Sequence, residues 1–483
     1  MLPISALSAL LAATLSLELA NAHGVHNARA HHDIAKRQTT AVALAASTSS
    51  SAASAAATTS SAAASGASGA TTAAPSGTSA ATTAAAVSGT GSYNVPPLSA
   101  INSAMPSGAT PTLSTTFSPG AQPTYSGAPV IPAKFIFSSA DWPALDRIPP
   151  TDSDQVKEWM KELDGHDIPD ITPTVDGECA SDPQAAAQAQ QRGWWTCGGW
   201  TSGNDIVACP EKNTWGVSFD DGPAPYSEKL LKYLDDHDLS ATFFVVGSRV
   251  VSYPDILIAE YMAGHEISVH TWSHHPLTAM TNEQIVAELG WTRHAIQTVL
   301  GVTPTTMRPP FGDIDNRVRA ISNAMGLRPI IWTTGPGGPF DTNDWRVPAG
   351  EHTGTESFAT FESILGNAST MDTGFIVLEH DLFEITVDLA VGYTLDAALT
   401  HNPPFKLESI GECLSIPMND MYHETATTDI VGANSTSDST SSNSTSGSSS
   451  AASGNGATGL RLPSSAFVGV AAAAVAAVFA GSL

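Results

Sequence analysis

Two aspartates stand side by side in "SFDDGP", Ser218 to Pro223. Adjacent carboxylates at a strand end repel each other unless each charge has its own partner. Turn preference explains the residue types, because Asp, Gly and Pro all favour turns, but it leaves the charges unexplained. Chemically capable residues recur downstream. "HTWSH" sets His270 and His274 four apart, a spacing at which two imidazoles reach one metal ion, and His275 follows as an alternative ligand. Arg308 follows "TTM"; Asp341 and Trp345 follow "IIWTT" on a Gly/Pro-rich stretch; His380 ends "FIVLEH". Two imidazoles and a carboxylate make a facial ligand set with an open position for water. Such oxygen and nitrogen donors suit zinc and also accept cobalt, nickel or iron. The metal would lower the pKa of that water, and the second aspartate would act as general base. Singly, each residue is as well explained as a satisfied structural group. Their common placement is what carries the reading.

That placement comes from the elements around them. "TWGVSF", "ATFFVV", "EISV", "TTM", "PIIWT" and "GFIVL" read as strands. Between them lie helical patterns: "YSEKLLKYLDDHD" with Ser227 as a cap, "YPDILIAEYMAG", "TNEQIVAELGWTRHAIQTVLG", "IDNRVRAISNAMG" and "TESFATFESILGNA". "FEITVDLAVGYTLDAALTH" reads as the last helix. Alternation of strand and helix predicts an α/β domain with a parallel sheet, closed as a barrel or open and doubly wound. In both, the C-terminal strand ends build the active site. Asp220, Asp221, His270, His274, Arg308, Asp341 and His380 all follow such ends.

The flanks have a different composition. Residues 1–22 read as a secretory signal ending at Ala20-Asn21-Ala22, and Lys36-Arg37 as a dibasic site closing a pro-segment, 23–37. No charged residue occurs from Gln38 to Ala133, and residues 38–139 read as a disordered, O-glycosylated Ser/Thr/Ala-rich stalk. The folded domain is placed at 140–425, its first part to Cys209 being an irregular extension. A Ser/Thr-rich linker, 426–455, follows, with sequons at Asn434 and Asn443 and another at Asn367 inside the domain. Small residues at 453–457, a short spacer and an apolar tail have the layout of a GPI signal, so Asn455 or Gly454 is the expected attachment residue and 456–483 the removed segment.

The net charge of −26 argues against nucleic acid as a partner and suits a surface protein acting on a neutral or cationic polymer. The four cysteines fit no zinc spacing, and an even number in a secreted chain predicts disulfides. Three pairings exist; Cys209 with Cys413 and Cys179 with Cys197 is favoured, because the first would tie the ends of the domain together.

The motifs "SFDDGP", "HTWSH", "RPPFG", "DTNDW" and "IVLEH" resemble, in type and order, those of the polysaccharide deacetylase (NodB homology) family, carbohydrate esterase family four. The resemblance runs from about Val217 to His380. It implies a distorted (β/α) barrel with one divalent metal, zinc or cobalt, on Asp221, His270 and His274. It further implies Asp220 as general base held ionised by Arg308, the Phe311 backbone N–H as oxyanion donor, and His380 as general acid oriented by Asp341. Asp220 and Phe311 would also contact substrate, and Trp345 and Leu378 would hold the acetyl methyl. Ser218 and Phe311 depart from the usual Thr and Tyr, and Glu379 stands where an apolar residue is expected. The secreted, Ser/Thr-rich, GPI-signalled layout is similar to that of fungal chitin deacetylases. It implies a monomer acting on chitin at the plasma membrane and cell wall. Acetylxylan or peptidoglycan as substrate, or a non-catalytic wall-binding role, are the competing readings.

Overall fold

The structure is a computed structural model that describes residues 92–427. The expected signal, pro-segment, sequons Asn434 and Asn443, attachment residue Asn455, removed tail and nearly all of the linker lie outside them. Among the described residues, no helix is long and apolar enough to cross a membrane.

Two parallel sheets share one stretch of chain. Strand β1 (Thr214–Gly216) and strand β2 (Ser218–Asp220) are separated only by Val217. β2 heads a five-stranded sheet with β3 (Thr242–Val245), β4 (Glu266–Val269), β5 (Thr306–Met307) and β6 (Arg328–Pro329), every pairing parallel. β1 is the centre of a second sheet, between β9 (Phe375–Ile376) and β10 (Lys406–Glu408); a small hairpin, β7 (Thr334–Gly335) with β8 (Gly338–Pro339), precedes β9. Isolated parallel bridges, Asp220 to His380, Asp341 to Leu378 and Ile206 to Ile330, and a bond from Thr333 N to Ile376 O link the sheets further. The expected α/β parallel architecture is therefore present, with the strand ladder interrupted rather than closed in one ring.

β3 and β4 are buried at every position. Strands covered on both faces need no alternation of polar and apolar residues. Their cover is amphipathic helix. α1 (Ser227–Asp236) buries Leu230, Leu231 and Leu234. α2 (Gly247–Ser252) was not expected from the sequence; it precedes α3 (Pro254–Met262). The long α4 (Asn282–Leu300) starts in a capping box of Thr281 and Gln284 and stops at Gly301, whose φ of 82° suits only a left-handed cap. α5 (Asn316–Ala324) is capped by Asp315, and α6 (Gly354–Ala368) by Thr353 with Glu356. The expected last helix is interrupted: α7 (Glu384–Leu389) passes through a π-turn at Ala390–Thr394 before Leu395–Thr400 resumes. Ser227 does not cap α1. Its hydroxyl accepts from Ala224 N and donates to Asp381.

Residues 92–139 correct the stalk boundary. This stretch lies against the domain, and Val95, Ile101 and Ile131 belong to the main apolar core. Tyr93 donates to Asp236 at 2.8 Å, Gly108 N to Glu384 at 2.6 Å and Ser114 N to Glu228 at 2.8 Å. Tyr125 stacks on Tyr422 and bonds to Tyr261. Three apolar anchors and side-chain acceptors on the helices order a segment whose average composition is that of a linker. Both favoured disulfides are formed, Cys179–Cys197 and Cys209–Cys413. Asn367 is half-buried at the end of α6, with Nδ2 over Gly337.

Candidate active site and metal centre

The strand ends converge as the parallel topology requires. Asp220, His270, His274, Phe311, Asp341, Trp345, Leu378 and His380 line one cavity of about 210 Å³. Arg308 is wholly buried behind it.

The adjacent aspartates are separated by backbone geometry. Asp220 ends β2 in extended conformation, whereas Asp221 has a φ of 81°. This turns the two side chains to different partners. Arg308 Nη1 donates to Asp220 Oδ1 at 2.6 Å, both groups buried, with the guanidinium 3.9 Å over the Phe244 ring. A charge-assisted bond of this kind is among the stronger protein hydrogen bonds. Asp221 Oδ1 faces His274 Nε2 at 3.1 Å and His270 Nε2 at 3.5 Å. Arg249 holds the Asp221 carbonyl at 2.7 Å. Gly222 completes the turn, and here only glycine fits: a Cβ would lie 2.5 Å from an oxygen of Asp381. Burial, reinforced by the charges of Asp221 and Asp220 and opposed by Ser227, lifts the Asp381 pKa to about 7.

Ligand atoms of Asp221, His270 and His274 all lie within 4.8 Å of one another, and all three residues are buried. The chemistry of the donors fits a divalent cation. His270 Nδ1 sits 2.7 Å from the Arg308 carbonyl oxygen. A carbonyl only accepts, so Nδ1 carries the hydrogen and Nε2 turns its lone pair toward Asp221. The "HTWSH" loop is shaped by two residues of positive φ, Thr271 and His274, and by Glu288 from α4. Glu288 accepts from Trp272 N and Ser273 N, each at 2.8 Å, and from the Ser273 hydroxyl. His275 bonds to Ser273, whereas His270 and His274 are the histidines grouped with Asp221.

His380 reaches the cavity beside Asp220. The two residues form a parallel bridge, with Asp220 N donating to Glu379 O at 2.9 Å. Its orienting partner corrects the expectation. Asp344, not Asp341, accepts from His380 Nδ1 at 2.8 Å and from His380 N at 2.9 Å. Asp341 Oδ1 accepts from Asn343 N at 2.8 Å, and Asn343, at a φ of 56°, swings the chain so that Asp344 faces the imidazole. Burial pulls the His380 pKa down, but the charge and hydrogen bond of Asp344, with the charges of Asp221 and Asp220, raise it to about 10. Burial raises Asp341. Glu379 is buried outside the cavity, where burial and the charge of Asp344 lift it to about 8. Burial thus favours the uncharged acid at this position.

Sequence reasoning missed Asp344, Glu288 and Arg249. "DTNDW" holds both candidate aspartates, so Asp344 was in view, but loop spacing carries no period that could choose between them. It also missed one cavity wall. Asp176, Gly177, Glu178 and Thr196 come from the irregular extension closed by Cys179–Cys197, and Trp332 and Arg346 from elsewhere in the domain.

The family described as polysaccharide deacetylase matches residues 208–330, a span that takes in Asp220, Asp221, His270, His274, Arg308 and Phe311. The chain is 50% identical over 358 residues to chitin deacetylase 1 of Cryptococcus neoformans var. grubii serotype A, an alignment spanning 72% of this chain and 75% of that one. The chain belongs to the polysaccharide deacetylase family. This deacetylase is also 33% identical over 281 residues to a chitin deacetylase of Amylomyces rouxii, covering 53% of this chain and 63% of that one. Among solved structures, the chitin deacetylase of Colletotrichum lindemuthianum aligns with 46% of the deacetylase and 95% of its own chain, at 25% identity and a TM-score of 0.41.

Proposed function

We propose that the protein is a chitin deacetylase, hydrolysing the N-acetyl groups of N-acetylglucosamine units to give chitosan and acetate. One observation carries the mechanism: Asp220 and His380 are joined by a parallel bridge and line the same cavity beside a two-histidine, one-aspartate set. Asp221, His270 and His274 would hold a single divalent ion, zinc or cobalt. When bound, such an ion polarises the amide carbonyl and lowers the pKa of water.

Asp220 takes the proton of the attacking water, with Arg308 fixing its other oxygen. Charge then develops on the former carbonyl oxygen. The Phe311 N–H would be the donor there; its backbone has a φ of 60° and its ring packs edge-on against the His274 ring. One oriented donor of this kind is worth roughly 3 kcal/mol in the transition state. An amide nitrogen cannot leave as an anion. His380, charged through Asp344, donates its Nε2 proton to that nitrogen as the C–N bond breaks. Trp345 and Leu378 supply apolar surface for the acetyl methyl.

Acetate release from defined chitin oligomers, with and without chelator, tests this reading. Release that a chelator abolishes and zinc or cobalt restores supports it. Release only from acetylxylan or peptidoglycan fragments would transfer the mechanism to another polymer, and no release from any would leave a wall-binding protein. The amino-terminal signal and carboxy-terminal attachment layout support a GPI-anchored cell-surface enzyme. Release from membranes by a phosphatidylinositol-specific phospholipase C is the expected behaviour.

A further inference from the structure

Asp313 is fully buried, stands two residues beyond Phe311, and takes no part in the chemistry above. Each of its oxygens accepts two hydrogen bonds. Oδ1 takes Trp194 Nε1 at 2.7 Å and Thr196 Oγ1 at 2.8 Å, both from the disulfide-closed extension. Oδ2 takes Thr278 N at 2.9 Å and Thr278 Oγ1 at 2.7 Å, from the segment after the metal-ligand loop. The Thr278 hydroxyl continues the chain: Gly177 N donates to Thr174 Oγ1 at 3.0 Å, and Thr174 and Thr278 share a bond of 2.8 Å. Gly177 is thereby seated in the cavity wall.

The turn that Asp313 closes is an unfavourable one. Phe311 and Gly312 have consecutive φ values of 60° and 66°. A left-handed conformation is rare for a bulky residue and persists only where the surroundings over-determine it. Asp313 N donates to Pro310 O at 2.9 Å across the turn, and Trp195 N donates to Ile314 O at 3.0 Å just beyond it. The Trp195 ring covers Gly312 so closely that a Cβ there would lie 2.4 Å from it. The extension therefore holds the three residues that follow Phe311: Gly312 under the Trp195 ring, Asp313 through Trp194 and Thr196, and Ile314 through Trp195 N.

We infer that Asp313 is a positioning residue. It locks the extension onto the Phe311 turn, so the extension fixes the oxyanion donor as well as walling the cavity. This rests on the deacetylase reading for the role of Phe311; the coupling itself stands on the hydrogen bonds. An error of about 1 Å in a catalytic group can cost ~10²-fold in rate. A wrong donor position weakens the transition state more than the ground state, so kcat should fall by a larger factor than any rise in KM.

The test uses the zinc-loaded enzyme and two variants. Asp313→Ala removes every acceptor. Trp194→Phe removes one donor from a buried ring outside the cavity wall, and keeps the test open if the first variant fails to fold. Acetate release from a chitin oligomer, zinc affinity by calorimetry and amide hydrogen exchange over 174–200 and 308–315 are compared with wild type. The expected result is a kcat lower by about tenfold or more in Asp313→Ala. Trp194→Phe should show a smaller fall in the same direction. Zinc affinity should be unmoved, any rise in KM from the shared cavity wall should be smaller than the fall in kcat, and exchange should be faster in both segments together. Unchanged kcat in a folded variant, or faster exchange in the extension alone, overturns the inference. A wild-type enzyme that releases no acetate refutes the proposed function instead, and the paired exchange then decides the coupling by itself.

Discussion

Asp344 grips His380 twice, through the ring Nδ1 at 2.8 Å and the backbone N at 2.9 Å, so one carboxylate sets both the tautomer and the charge of the imidazole. A histidine buried this deeply would otherwise be neutral at physiological pH. Its proton-donating form depends on that neighbour.

Asp344→Asn removes the strongest of the charges that oppose burial, so the His380 pKa falls. A general acid works below its pKa. The alkaline limb of the kcat/KM profile should therefore move to lower pH, and kcat at neutral pH should drop by about 10²- to 10⁴-fold. Asp341→Asn should move that limb less. A pH–rate profile of both variants checks the assignment.

The adjacent aspartates should fail differently. Asp220→Asn retains the ligand set and loses proton transfer, so stoichiometric zinc should remain while turnover falls by about 10²- to 10⁴-fold. Asp221→Asn and His274→Ala should lose zinc affinity and turnover together. His275→Ala should lose neither. Metal analysis beside the acetate assay separates these outcomes.

Glu379 gives a stability prediction. Its pKa rises from 4.5 to about 8 on folding, through burial first. An acid with a raised folded pKa stabilises fully below its unfolded value, and that contribution is lost as pH rises toward the folded value. Glu379→Gln should remove this loss. Its Tm relative to wild type should climb between pH 4.5 and about 8 and level off above; thermal melts across that range give the answer.

Cys209–Cys413 joins residues 204 apart in sequence, both buried, whereas Cys179–Cys197 spans 18 residues. Loss of the long closure by Cys209→Ser with Cys413→Ser should cost about 2–5 kcal/mol, read from denaturant midpoints. The matching change at Cys179 and Cys197 should cost less overall but disturb the cavity wall, seen as reduced turnover in a protein of nearly unchanged stability.

The catalytic set was readable because parallel sheets gather their strand ends on one side. Asp220, Asp221, His270, His274 and His380 needed only the strand pattern to be brought together. Asp344 was not readable, because its selection over Asp341 depends on the φ of a single loop residue, Asn343. The extension's contribution was hidden for a related reason. Asp176, Glu178 and Thr196 lie in sequence without helical or strand period, and a disulfide and the Asp313 carboxylate, not a repeating pattern, place them. The stretch 92–139 was misread because composition averages over a window, while docking depends on single residues such as Val95 and Ile101.

That stretch has a practical consequence. Running from Tyr93 past α1, α7 and α3, it occupies apolar sites that would otherwise face water. A recombinant protein trimmed at residue 140 would leave the seats of Val95, Ile101 and Ile131 open and invite self-association. A fragment that retains Val95, Ile101 and Ile131 keeps those seats filled.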